Sequence, residues 1–268
     1  MTITMPANGF RRRPVTALAK AEWLQFRRNK TLVYMATAFP IGIPLATFLI
    51  ARKDTEPTTA MAAVALEMLA LMALLFVQYY SVLSMVTTRR SEGVLKRLRT
   101  GEAADWQIQL APAIPGAVMT AATTVVVAAV VYGTGTPMPV NPLAIIVALV
   151  GGTVLFTLLA LATSAYTKNA EAAQITSLPV MMVAMLGLAS IRSVLPDRLA
   201  QMADWTPFAA VSDLISLGAA GKLSTDSDSA LSFADTVTAS GRPFATLALW
   251  TVLALVLTRK SFRWDDRG

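Results

Sequence analysis

Long apolar runs are the feature that most constrains this chain. Several stretches of about 20 residues carry almost no charge, and a helix needs roughly that length to cross a hydrocarbon core of about 30 Å. The 268 residues are 15% charged, with a mean hydropathy of +0.57, whereas an average soluble domain is about a quarter charged. The runs are continuous rather than alternating, which favours helices over a barrel. The sequence therefore predicts an all-α integral membrane protein.

Six membrane-spanning helices are predicted from these runs. Their ranges are residues 31–51, 61–86, 111–132, 143–166, 174–195 and 244–258. The sixth is short, but Arg242 and Arg259 can extend outward from its ends. Lysine and arginine concentrate on the cytoplasmic side of inner membranes, and 17 of the 23 lie on one side when both termini are placed inside. We therefore predict a multi-pass protein of a bacterial inner membrane with both termini in the cytoplasm.

The composition excludes several classes of function. The sequence has no cysteine and no histidine, so it cannot supply disulfides, thiolate nucleophiles, histidine acid–base groups, or cysteine or histidine metal ligands. We expect no cofactor and no metal in this chain. The net charge of +7 does not indicate nucleic acid, because basic residues at membrane flanks follow from insertion and from anionic lipid. No motif of a nucleic-acid-binding module is present.

The segment before the first span, residues 1–30, has helical periodicity. Apolar residues fall on one stripe, with Glu22 as the exception, at Val15, Leu18, Ala19, Trp23 and Phe26. No apolar core follows the basic residues 11–13 closely, so a cleavable signal is not indicated. The pattern predicts an amphipathic helix at the inner membrane surface. A solvated helix is the alternative.

A charged cassette, residues 89–100 with the sequence RRSEGVLKRLRT, separates the second and third spans. At helical spacing, Leu95 and Leu98 share one face, while Lys96 and Arg99 share another. A short helix with these two faces can dock on a protein groove or on anionic lipid. A plain basic loop that follows from the orientation rule is the alternative.

Several segments resemble the permease subunits of ABC-2 type transporters. EGVLKRLR at residues 92–99, directly after a second span, is similar to the coupling segment of that family. Similar segments are RNKTLV at 28–33, KNAEAAQ at 168–174, LPDRL at 195–199, WTPF at 205–208, DLI at 213–215 and FRWDDR at 262–267. One departure is Gly101-Glu102, where the family pattern has a proline soon after Thr100. The resemblance implies one transmembrane domain over residues 1–268, with a bundle at 31–258 and a cytoplasmic tail at 259–268.

The resemblance also implies a division of labour. ATP binding needs a glycine-rich loop ending in Gly-Lys-Ser/Thr, and the nearest match, GAAGKL at residues 218–223, lacks the first glycine and the hydroxyl. We therefore expect no enzymatic activity in this chain. Family members combine two permease subunits, as a homodimer in the simplest case, with two ABC ATPase subunits that bind ATP and Mg. The implied function is ATP-driven export, of the multidrug-resistance kind, of a drug-like, lipid or peptide substrate.

Other classes of function remain as alternatives. An ion-coupled secondary transporter usually needs acids inside the membrane, and Glu67 is the only clear one. A membrane-embedded enzyme would need catalytic groups clustered at one depth, and none is seen. A membrane scaffold without an ATPase is the remaining possibility.

Two groups of candidate site residues follow. The surface that couples to the ATPase is predicted at Arg89, Glu92, Gly93, Leu95, Lys96, Arg97, Leu98 and Arg99. There the leucines are expected to be buried by the partner and the basic residues to pair with its acids or with membrane lipid. The substrate pathway is predicted at Glu67, Phe76, Tyr79, Met182 and Met185. Ordinary helix packing is the alternative for the aromatic and methionine residues, and an outward-reaching side chain is the alternative for Glu67. Residues 208–218 predict a re-entrant or interfacial helix near the outer surface.

Overall fold

The computed structural model describes residues 14–101, 103–223 and 229–265. Within these ranges the chain forms helices joined by turns and no strand, so the all-α fold is confirmed. The helices are α1 (Pro14–Arg28), α2 (Lys30–Ala51), α3 (Thr59–Ser91), α4 (Val94–Arg99), α5 (Asp105–Leu110), α6 (Ala113–Gly133), α7 (Pro142–Ser164), α8 (Ala170–Leu186), α9 (Ala189–Arg192), α10 (Asp197–Ala203), α11 (Pro207–Ala220), α12 (Phe233–Ala239) and α13 (Gly241–Ser261). The central segment of α3, Ala73–Tyr80, is π-helical.

Among the described residues, five helices are long and apolar enough to cross a membrane: α2, α3, α6, α7 and α13. They correspond to predicted spans one to four and six. The sixth is a full 21 residues, longer than the predicted range. Pro40 and Pro44 both lie inside α2, as membrane helices tolerate when neighbouring groups satisfy the freed carbonyls.

The predicted fifth span is not a single long helix, so the count of six spans is not confirmed. Its apolar residues form α8, which is shorter than the other five, and the backbone becomes extended at Leu188 (φ −62°, ψ 135°). At this point Gly187 packs directly against α11, because a Cβ on Gly187 would lie 2.4 Å from the nitrogen of Ala209. Close backbone packing between Gly187 and α11 thus accompanies the end of α8. Hydropathy gives no information about such a contact.

Helix α11 occupies the interior of the bundle. All of its residues are buried, and it packs against α3, α7 and α13. The backbone N–H of Asn141 donates to the carbonyl oxygen of Gly218 at 2.9 Å, which places the last turn of α11 beside the first turn of α7. The helix predicted at residues 208–218 is therefore present, and it is enclosed by the bundle.

The two ends of the bundle differ in charge. Ser91, Ser164 and Ser261 end α3, α7 and α13 at what we call the basic end, where most of the lysines and arginines lie. The opposite end includes the first turns of α3 and α7.

Helix α1 packs on the bundle at the basic end. Phe26 is buried in a small cluster with Ala36 and Val77, against which Trp23 is packed. The predicted amphipathic helix therefore uses its apolar stripe to contact α2 and α3. A solvated helix would have left this stripe exposed. Residues 11–13, Glu102 and the last residues of the tail motif lie outside the described residues.

Candidate functional site

The charged cassette divides into two structural parts. Arg89 and Arg90 belong to the last turn of α3, and the separate helix α4 begins only at Val94. Gly93 lies between them with φ +68°, in the left-handed region that glycine adopts without strain. The cassette is therefore the end of a membrane-spanning helix, a glycine turn, and a six-residue helix.

Helix α4 is attached to its own bundle by its two leucines, one fully and one partly buried. Leu95 is 1% exposed and lies within the main hydrophobic core, and Leu98 packs partly against that core. The prediction assigned both leucines to the ATPase interface, but Leu95 is already buried within this chain. The exposed face of α4 consists of the three basic residues Lys96, Arg97 and Arg99, and Glu92 is exposed just before it.

Arg89 binds α1. Both terminal nitrogens of its guanidinium contact the Glu22 carboxylate, and Nη2 also donates to Gln25 Oε1 at 2.8 Å. Both charged side chains are buried, so Arg89 is not part of the exposed basic face. Glu22 was the exception on the apolar stripe of α1, and pairing with Arg89 is its physical explanation.

Arg90 binds the end of α7. Its Nη1 donates to the carbonyl oxygen of Ser164 at 2.6 Å, and its Nη2 donates to that of Thr167. The last carbonyls of a helix have no partner within the helix and carry partial negative charge, so a guanidinium is well suited to this position. The Thr167 hydroxyl hydrogen-bonds the Thr176 hydroxyl of α8 at 2.8 Å. The base of α3 is thereby tied to α1, α7 and α8.

A cavity of about 430 Å³ opens near the basic end. It lies between α2, the π-helical segment of α3 and the start of α8. Its lining is Thr31, Leu32, Met35, Ala36, Phe39, Phe76, Val77, Tyr80, Ser81 and Gln174. None of the described residues that line it is charged, and its volume is within the range of small-molecule sites. Among the predicted pathway residues, Phe76 belongs to this cavity.

The other pathway residues lie elsewhere. Tyr79 is fully buried, and its hydroxyl donates to Thr163 Oγ1 at 3.2 Å while its ring packs edge-on against Phe156. Met182 and Met185 are exposed on α8, by 66% and 46%. The single chain therefore does not bring the predicted pathway residues together, and their roles remain predictions.

Glu67 lies inside the bundle toward the opposite end. Its Oε1 accepts a hydrogen bond from the Ala189 amide at 2.9 Å and another from the Ser212 hydroxyl. It is 5% exposed, and it borders a cavity of about 140 Å³ that Lys222 also lines. Its carboxylate thus connects α3 to the first residue of α9 and to α11.

An ion-pair network surrounds Arg192, which ends α9 outside the five membrane-spanning helices. Its Nη1 lies 2.7 Å from Asp204 and its Nη2 lies 2.7 Å from Asp213, while Arg242 reaches Asp204 at 3.3 Å. Burial opposes the charge of Arg192, but the two carboxylates outweigh burial and raise the pKa of the guanidinium above its ordinary value. Sequence reasoning missed this network because its members are far apart in the chain.

Gln78 is a second polar residue that sequence reasoning missed. It is fully buried in the π-helical segment, and its Nε2 donates to Thr157 Oγ1 at 2.6 Å and to the Ala113 carbonyl at 3.3 Å. It joins α3 to α6 and α7. Gly116 of α6 leaves room for it, since a Cβ there would lie 2.4 Å from Gln78 Oε1. The sequence signal for it was the single side-chain amide of Gln78 inside the apolar run 61–86.

Apolar helices of membrane-spanning length, a buried helix inside their bundle, and a basic end are the features of a multi-pass transmembrane protein. The family model for the ABC-2 type transporter matches residues 13–212, and the chain belongs to that family. The matched domain is a transmembrane component and is not itself catalytic, and the family normally works with an ABC ATPase. No individual curated protein matches the chain.

Proposed function

We propose that this chain is the permease subunit of an ATP-driven exporter, which acts as a homodimer with two copies of a separate ABC ATPase. The supporting observation is α4, which follows the second span, is anchored by Leu95 and exposes only polar and basic side chains around Lys96 and Arg97. An acidic groove of an ATPase would complement that face. We propose that both termini lie in the cytoplasm, because the basic end then faces the compartment that contains ATP.

The contacts of Arg89 and Arg90 give the proposal a mechanism. ATP and Mg bind to the partner, and closure of the two ATPase subunits moves α4. Since only Glu92 and Gly93 separate α4 from α3, the base of α3 moves with it. The buried contacts of Arg89 with Glu22 and of Arg90 with the end of α7 then carry the movement to α1, α7 and α8. Packed interfaces of this kind switch between discrete arrangements.

The cavity beside Phe76 supports an apolar, uncharged substrate of the drug-like or lipid kind. Its hydroxyl and amide groups, from Thr31, Tyr80, Ser81 and Gln174, can hydrogen-bond a neutral polar group. An ionised peptide would leave its charge without a partner in this cavity. The cavity borders the π-helical segment, and such segments occur frequently at functional sites.

Reconstitution in proteoliposomes tests the proposal. With the cognate ABC ATPase and ATP outside, we expect a neutral fluorescent amphiphile to accumulate in the vesicle lumen, and no accumulation when ATP or the ATPase is omitted. Accumulation driven by a proton or sodium gradient without the ATPase would instead support the secondary-transporter alternative. Absence of any transport or of ATPase association would favour a scaffold.

A further inference from the structure

The residues that follow α13 pack close to α4. Phe262 and Trp264 are half-buried and packed against the main hydrophobic core. Their ring centroids are 5.0 Å apart with an interplanar angle of 76°, which is a favourable edge-to-face arrangement. The two rings therefore give residues 262–265, the tail segment, a defined position at the basic end.

The tail segment contacts the basic face of α4 at two points. The Arg99 guanidinium carbon lies 4.8 Å from the centre of the Trp264 ring. Outside the tail segment, Arg99 Nε also lies 3.3 Å from Oδ1 of Asp105, the first residue of α5. Lys96 Nζ is 3.9 Å from Asp265 Oδ1, but both of these side chains are more than half exposed. Exposed pairs of this kind contribute little. The stacking of Arg99 on the half-buried Trp264 ring is therefore the main contact.

Helix α4 needs such a contact to keep its orientation. It has six residues and its first turn receives no side-chain cap from Gly93, and an isolated helix of this length is unstable in water. Leu95 is its single fully buried side chain. Leu98 packs only partly against the core, and both leucines lie on one face, so they leave the opposite side of the helix without an apolar contact. Arg99, on the basic face and between Trp264 and Asp105, is the contact on that other side and helps to fix the direction of α4.

We infer that Trp264 is a positioning residue of the permease: by holding Arg99, it fixes the orientation in which α4 presents its basic face to an acidic ATPase surface. The identity of the partner rests on the proposed function, whereas the positioning of α4 is a property of this chain alone. Because the tail segment continues directly from α13, the contact also connects any movement of α4 to the last membrane-spanning helix.

Electron spin–spin distances in the isolated permease test the positioning directly. The chain has no cysteine, so Arg97→Cys on α4 and Leu257→Cys on α13 give a clean label pair. We expect a narrow distance distribution in the parent protein and a broad one in W264A and in R99Q, with the narrow distribution restored in W264F. R259A is the matched control, because it removes a nearby exposed positive charge that makes none of these contacts. An unchanged distribution in both W264A and R99Q would overturn the inference.

Binding to the cognate ATPase is the second readout. An exposed cation–π contact of this kind corresponds to about a two- to fivefold change in a dissociation constant. W264A should therefore raise the Kd for the ATPase by about that factor, while W264F and R259A should bind as the parent does. If W264A does not fold, R99Q tests the same contact, because it removes the Arg99 guanidinium and leaves Trp264 in place. Equal binding by W264A and the parent would overturn the role in docking. If the parent permease itself binds no ATPase while the distances broaden as expected, the proposed function fails and the positioning of α4 stands.

Discussion

Replacing Arg89 by alanine should release α1 from the bundle. The Glu22 side chain is 2% exposed and that of Arg89 is 10% exposed, so the substitution leaves a buried carboxylate without its cation. Breaking such a buried pair costs about 3–5 kcal/mol, whereas an exposed pair is worth under about 1 kcal/mol. Gln25 loses a donor as well. The population of detached α1 should rise by about a hundredfold to a few thousandfold.

Amide hydrogen exchange in lipid nanodiscs measures this detachment, because exchange of α1 amides reports local opening. Exchange in residues 18–26 should accelerate in R89A, with α6 as the internal reference. The double variant E22L/R89M should return most of the protection, since a well-packed apolar pair can replace a buried ion pair. K20A, which removes an exposed charge from the same helix, should exchange as the parent does. Equal exchange in R89A and the parent would show that the Glu22–Arg89 pair does not hold α1 to the bundle.

Two further substitutions test the interior of the bundle by thermal stability in detergent. G116A should destabilise the protein by about 1–3 kcal/mol, since the added Cβ would lie 2.4 Å from Gln78 Oε1. The control G42A should not destabilise it, because its Cβ meets nothing within 4 Å. Equal stability of the two variants would contradict the close packing of Gly116 on Gln78. R192L should lower the free energy of unfolding by about 3–5 kcal/mol, because two partly buried carboxylates lose their shared cation. R242A removes a cation at the exposed rim of the same network and should cost much less. An equal loss in both variants would contradict the central position of Arg192 in the network.

The membrane-spanning helices could be predicted because a single physical quantity, uninterrupted apolar length, determines them. The fifth helix could not be predicted by that quantity, because its end coincides with the backbone contact between Gly187 and Ala209. That contact depends on a partner helix that follows later in the chain. The same limit applies to Arg192, whose carboxylate partners become its neighbours only after α9, α10 and α11 have packed.

The site could be predicted in part. The local pattern of the cassette indicated a short helix with one apolar and one basic face, and α4 has both. It could not indicate which partner each residue takes, so Arg89 and Leu95 were both assigned to the ATPase. Both are buried within this chain. Glu22 was a usable signal, because an acid on an apolar stripe requires a buried cation, and Arg89 is that cation.

The most direct test of the central claim is the affinity of the permease for its cognate ABC ATPase when the exposed face of α4 is reversed in charge. K96E/R97E should weaken binding by about tenfold or more, because like charges opposed across an interface cost several kcal/mol. Added salt should weaken binding of the parent but strengthen the remaining binding of the variant, because it screens the new repulsion. R259E/K260E, the same change of charge on the last turn of α13, should bind as the parent does. Undiminished binding by K96E/R97E would contradict the assignment of α4 as the coupling helix.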